Sequence, residues 1–89
     1  MQDPKHKIRL YEKSFEKWGT DAQILKAIEE LCELTLALLH TDQQHIFEEM
    51  ADVEIMLEQL EIVFGCRDMV KLHKINKLRR LKERLNAPD

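Results

Sequence analysis

From Ala27 to Cys66 the chain carries eight Glu and two Asp but no Lys or Arg, and all fourteen basic residues lie on either side. This segregation constrains the fold more than any other feature, because the acids sit among residues that otherwise make a buried helix. Soluble helices commonly interleave the two signs, since Glu followed four residues later by Lys gains about 0.2–0.5 kcal/mol. Here Glu29 is followed at that spacing by Glu33, which repels it. The densest part, EELCELTLALLHTDQQHIFEEMAD, holds two clusters, Glu29/Glu30/Glu33 and Glu48/Glu49/Asp52. Carboxylates so placed lack partners within the segment, and call for water, distant basic side chains or a cation.

Eighty-nine residues suit one small domain, taken as 1–89, whose own core is marginal. With 44% apolar and 35% charged residues, two Gly and two Pro, the chain reads as helical rather than disordered. Its net charge of −3 hides a net +2 over residues 1–26, −10 over 27–66 and +5 over 67–89. The acidic middle argues against a nucleic-acid partner. No run reaches membrane-spanning length and no signal peptide is visible, so no membrane association and a cytoplasmic location are expected. Cys32 and Cys66 lack framework spacing and read as reduced thiols.

Asp3 and Pro4 make a cap and first helical residue, and Ile8, Tyr11, Phe15 and Trp18 form one apolar face of a first helix that Gly19 ends. Thr20 and Gln23 form a capping-box pattern, predicting a second helix from about Asp21 to about His40. That helix is apolar nearly all round, as suits the middle of a bundle. Thr41 with Gln44 repeats the capping pattern, with Asp42 a rival cap. A third helix is expected from about Gln43 to Phe64, with Ile46, Met50, Val53, Leu57, Leu60 and Phe64 on one stripe and Gly65 as its stop. A fourth, about Arg67 to Leu85, is expected to turn Leu72, Ile75, Leu78, Leu81 and Leu85 inward and its Lys/Arg set outward.

At about 100° per residue, Glu49 falls within the arc of Val53, Met56 and Leu60, and Asp52 at its margin. Glu30 lies between Leu34 and Ala37, with Glu33 one step further round. The two i, i+3 pairs therefore occupy the edge of the packing face. If the two helices run antiparallel across their short connection, the four carboxylates converge. Burying them uncompensated is very costly. A hard divalent cation with oxygen ligands offsets that cost. Taken alone, EExxE on a helix is a solvated face; two such clusters in register on apolar faces point elsewhere.

ILKAIEELCEL followed by FEEMADVEIMLEQL is similar to the MazG-like nucleotide pyrophosphohydrolases of the all-α NTP pyrophosphatase superfamily, whose motif is EExxE, a gap, then ExxD. Glu29, Glu30 and Glu33 match the first part, and Glu49 and Asp52 the second. The resemblance covers about Trp18 to Arg84. It implies a four-helix bundle-type all-α fold completed by oligomerisation, as a homodimer or tetramer. It also implies a hydrolase acting on a phosphorus anhydride, which converts a nucleoside triphosphate to the monophosphate and pyrophosphate with Mg²⁺, Mn²⁺ being a possible substitute. By that likeness Glu30, Glu33, Glu49 and Asp52 are the metal ligands. Glu29 is carried over as a water-orienting group, and Glu29 or Glu33 as proton acceptor. Relatives carry a Lys-x-x-x-Asn-x-x-Arg pattern on the last helix. Lys77 and Arg84 fit its ends, Leu81 replaces the Asn, and Arg80 is a partial substitute for substrate contact.

Other constellations are weaker. His40, His45 and His73 with the two cysteines lack zinc spacing, and no GxxxxGK[ST] loop is present. Ser14 is the only serine and has no nucleophile's setting. Trp18 reads as core, with a lid over a substrate base as the alternative. Two rival readings stand beside the hydrolase: a non-catalytic helical interaction module with an acidic face, and a related phosphoribosyl-ATP pyrophosphatase-like hydrolase.

Overall fold

The computed structural model describes residues 4–88. They form three helices: α1 (Pro4–His40), α2 (Gln43–Val63) and α3 (Arg67–Asn86). The chain is all-α, as expected, and α1 consists of the first two of the four expected helices, which meet at a kink. Helix α1 runs through both, interrupted only at Gly19, whose φ of 83° and ψ of 165° lie outside helical space. Gly19 therefore ends the first helical segment, as expected, and a second segment sets off from the kink. Thr20 is itself helical, and Gln23 turns inward with 6% exposure instead of serving a capping box. The Asp3 cap lies outside the described residues.

The α1–α2 turn is built from two residues. Thr41 takes a left-handed φ of 57° and donates its backbone N–H to the Ala37 carbonyl at 3.0 Å. Its hydroxyl donates to the His40 carbonyl at 2.7 Å. Asp42 wins the competition to cap α2, its side chain accepting the His45 N–H at 3.5 Å. The end of α2 is a Schellman motif around Gly65 (φ 60°): Cys66 N–H donates to the Glu61 carbonyl at 3.0 Å and Gly65 N–H to Ile62 at 3.2 Å.

Helices α1 and α2 pack as an antiparallel hairpin. Tyr11 meets Glu58 at one end, where the phenol donates to the Glu58 Oε2 at 2.6 Å. Lys7 joins the same carboxylate oxygen at 3.0 Å. Glu30 and Glu49 meet towards the other end. The buried layer between them is thin: Tyr11, Ala27, Ala37, Val53 and Met56, together with the polar Gln23, Glu30, Glu49 and Gln59. Two expectations fail here. The stripe on α2 is rotated by about one position, through Glu49, Val53, Met56 and Gln59, leaving Met50, Leu57 and Phe64 exposed. The 20–40 part of α1 is not enclosed either, since Leu25, Ile28, Leu31, Leu36, Leu38 and Leu39 all face outward.

Helix α3 contradicts its expectation most fully. It buries no residue, and Leu72, Ile75, Leu78, Leu81 and Leu85 are all exposed. It packs only on α2, near their joint, and not on α1. The radius of gyration, 16.1 Å, exceeds the roughly 12 Å typical of a compact chain of this length. Among the described residues, one chain thus leaves nineteen large apolar side chains exposed. No helix among the described residues is long and apolar enough to cross a membrane.

Candidate metal-binding site

Three of the four expected ligands are brought together. Glu30 of α1 and Glu49 and Asp52 of α2 each offer a carboxylate oxygen, and these atoms lie within 4.8 Å of one another. Helical spacing explains the arrangement: Glu49 and Asp52 are one turn apart on the face α2 turns to α1, and Glu30 lies opposite in the antiparallel partner. Glu33, one turn beyond Glu30, joins a second group with His45 and Glu49 under the same 4.8 Å limit. Glu49 is common to both. Glu29 is exposed and lies outside both groups.

Glu49 carries the electrostatic load. It is 8% exposed, and its Oε2 is buried without a hydrogen-bond partner among the described residues. Burial pushes its carboxyl above the usual range, the charges of Glu30 and Asp52 and a hydrogen bond with the Glu30 side chain push the same way, and His45 opposes them. The His45 Nε2 stands 3.9 Å from Glu49 Oε1, a pairing that acts as an ion pair when the imidazole is protonated. Glu30, 9% exposed, is partly compensated: Lys26 Nζ sits 3.1 Å from its Oε1 and 3.7 Å from Glu29 Oε2. The expectation that the acids lack a local basic partner is corrected on this point. Lys26 stands immediately before the acidic segment, and from there it reaches Glu29 and Glu30 at i+3 and i+4.

The substrate residues expected on α3 are elsewhere in the single chain. Lys77, Arg80 and Arg84 line one depression at the far end of α3, beside Glu83 and Ala87. The backbone of α3 approaches α2 alone, and none of the clustered carboxylates lines this depression. Trp18 is not core: it is 57% exposed, with the Lys17 ammonium 5.2 Å from its ring centroid. Two residues near the site, Lys26 and Gln59, were not singled out from sequence, and His45 was weighed only as a zinc ligand. Lys26 and His45 both sit at i, i+4 spacing from a ligand candidate, a signal that was there to be read. Gln59 gave none, since only its burial marks it.

No family model matches the chain, and no curated protein or solved structure matches it either.

Proposed function

We propose that the chain is a Mg²⁺-dependent nucleotide pyrophosphohydrolase, converting (d)NTP to (d)NMP and pyrophosphate as a homo-oligomer. The observation that carries this reading is the buried, unpartnered Oε2 of Glu49 at the meeting point of Glu30, Asp52 and Glu33. A carboxylate oxygen withdrawn from water without a donor costs several times a lost surface contact, and acidic neighbours raise that cost. An all-oxygen cluster of this kind fits a hard divalent cation, with Mn²⁺ a possible substitute.

Glu30, Glu49 and Asp52 would hold the ion. When bound, Mg²⁺ supplies charge neutralisation of the triphosphate and an oriented water. Glu33, beside His45, would serve as proton acceptor for the attacking water, with exposed Glu29 further out as the alternative. Lys26 holds Glu30 in place and presents a cation at the edge of the cluster.

Lys77, Arg80 and Arg84 reach phosphate only if a second copy supplies them. The uncovered apolar faces of α1 and α3 favour such an assembly, a dimer or tetramer. The Lys26–Glu30 pair supports one rival, an interaction module whose acidic face is already partly neutralised and meets a basic partner.

The deciding experiment incubates the protein with a panel of (d)NTPs and Mg²⁺ and resolves the products. Pyrophosphate and monophosphate are expected, with none formed in EDTA. Each of Glu30→Gln, Glu33→Gln, Glu49→Gln and Asp52→Asn should abolish turnover with helical circular dichroism intact. Orthophosphate release would overturn the reading. Absence of turnover with either metal would leave the module.

A further inference from the structure

The second group at the hairpin, Glu33, His45 and Glu49, differs in kind from the first: it brings a nitrogen donor within 4.8 Å of two carboxylate oxygens. His45 and Glu49 stand one turn apart on α2, and Glu33 faces them from α1, so both helices contribute. A histidine four residues from a glutamate is most often an exposed ion pair of small worth. Two observations set this one apart. The His45 Nε2 is 3.9 Å from Glu49 Oε1, too far for a hydrogen bond, so the ring nitrogen is held near the carboxylate without being bonded to it. Glu49 is also only 8% exposed, with an Oε2 that lacks a hydrogen-bond partner among the described residues. A buried oxygen in that state marks a place where a donor or a cation belongs.

The spacing suits a shared ion. Two ligands on a tetrahedral cation with bonds of about 2.1 Å stand about 3.4 Å apart, so the 3.9 Å gap closes with a shift of about 0.5 Å. The His45 side chain, 45% exposed, is free to move that far. An imidazole nitrogen suits Zn²⁺ and its neighbours, whereas Mg²⁺ prefers oxygen alone. Glu30, Glu49 and Asp52 offer only oxygen. The two groups therefore differ in the metal they select, and they share Glu49. The set is carboxylate and imidazole across two helices, not a Cys/His run, so spacing along the chain does not reveal it.

We propose that Glu33, His45 and Glu49 form a second metal site, selective for Zn²⁺ or a similar nitrogen-accepting divalent ion over Mg²⁺, with water in the remaining position. Two carboxylates and one imidazole match the donor count of an open zinc site. Occupancy draws Glu49 away from Glu30 and Asp52 and engages Glu33. On the hydrolase reading the consequence is inhibition, because the Mg²⁺ cluster loses a ligand and the attacking water its proton acceptor. The site itself does not depend on that reading.

The test titrates Zn²⁺ alone into the metal-free full chain by calorimetry. One equivalent is expected to bind, and His45→Gln to weaken it by at least the roughly 10–100-fold that loss of a mere outer partner costs. His45→Gln should leave the Mg²⁺-induced rise in melting temperature unchanged, an outcome that a general loss of structure would not give. Co²⁺ serves as a coloured probe of the same site. Its visible absorption should differ between wild type and His45→Gln, with no thiolate charge-transfer band from the free Cys32 or Cys66. Should His45→Gln fail to fold by circular dichroism, Glu33→Gln decides, since it is expected to lose Zn²⁺ binding likewise. Absence of Zn²⁺ binding, undiminished binding in either folded variant, a thiolate band, or an equal loss of the Mg²⁺ response in His45→Gln overturns the proposal. Micromolar Zn²⁺ should also slow pyrophosphate release in millimolar Mg²⁺, and do so less in His45→Gln; release indifferent to bound Zn²⁺ would overturn the inhibition. Zn²⁺ binding by a chain that releases no pyrophosphate would sink the hydrolase and spare the site. Pyrophosphate release from a chain that binds no Zn²⁺ would do the reverse.

Discussion

The α1–α2 hairpin and the α3 arm both place apolar residues at helical spacing, yet the buried side chains belong to the hairpin and none to the arm. In the hairpin the apolar and acidic faces of two helices close on each other within one chain. In the arm, Leu72, Ile75, Leu78 and Leu81 face open space although the pattern is as regular. An amphipathic stripe states that a face will be covered; it does not state which chain covers it. The charges divide along the same line, with the carboxylates gathered in the hairpin and eight of the fourteen basic residues on α3.

The largest expected effect falls in the hairpin. Glu49→Gln should lower nucleotide turnover by two to three orders of magnitude, about 2.7–4 kcal/mol of transition-state stabilisation. The same change should raise the melting temperature without metal, since an amide can donate to Glu30 or Asp52 where the carboxylate repels them. Millimolar Mg²⁺ should stabilise the wild type by mass action beyond the effect of matched NaCl, and stabilise the variant much less. Equal metal responses would reduce the cluster to a solvated face.

The arm answers to a different measurement. Leu78 is 63% exposed, so Leu78→Glu should leave the helicity of an isolated chain unchanged. If α3 is covered by a second copy, light scattering should show the mass falling to about 10.6 kDa in the variant. A wild-type mass already at that value would mean that the arm stands uncovered.

These two regions also divide what the sequence made legible. The α2 and α3 boundaries followed from Asp42, Gly65 and helical periodicity, and the convergence of Glu30, Glu49 and Asp52 followed from i, i+3 spacing on antiparallel helices. The break at Gly19 was legible as well, since a glycine at positive φ stops the helical backbone, while the kink that follows depends on whether the next residues find the same neighbour. Here both halves of α1 find α2. The inward leucines of α3 and the core position of Trp18 failed, because periodicity measured against one chain says nothing of faces that chain leaves open. Gln59 could not be picked out, because a buried and a solvated glutamine read alike until the neighbouring helix is in place.

At the open end of the hairpin, Tyr11→Phe removes the 2.6 Å hydrogen bond to Glu58 and should cost about 1.5 kcal/mol, the low end for a charged acceptor because Glu58 is partly exposed. For a domain of this size that lowers the melting temperature by about 4–8 °C per kcal/mol. The Tyr11 hydroxyl, with Lys7 helping, holds the Glu58 carboxyl below its ordinary value of 4.5, against the opposing effect of burial. A depressed carboxylate contributes stability above that ordinary value and loses it as pH falls through the folded value. The deficit of Tyr11→Phe should therefore be full at neutral pH and shrink below about pH 4.5. A deficit independent of pH would assign Tyr11 to packing alone.

The smallest effect expected is at the bend between the two halves of α1. Gly19 holds φ 83° and ψ 165°, a combination that costs a residue with a side chain about 1–3 kcal/mol. A Cβ built at Gly19 meets nothing within 4 Å, so the cost of Gly19→Ala is conformational and not steric crowding. The chain can accept that strain, or it can straighten α1 through this position, where alanine is the better helix former by about 1 kcal/mol. Straightening would pull Tyr11 from Glu58 and open the cavity lined by Trp18 and Gln59. Acceptance predicts a lower melting temperature with Trp18 fluorescence unchanged. Straightening predicts increased helical circular dichroism, a shifted Trp18 emission and loss of the pH-dependent stability that Glu58 contributes. A variant indistinguishable from wild type in all of these would mean that the bend at Gly19 is not how the hairpin closes on its own acidic layer.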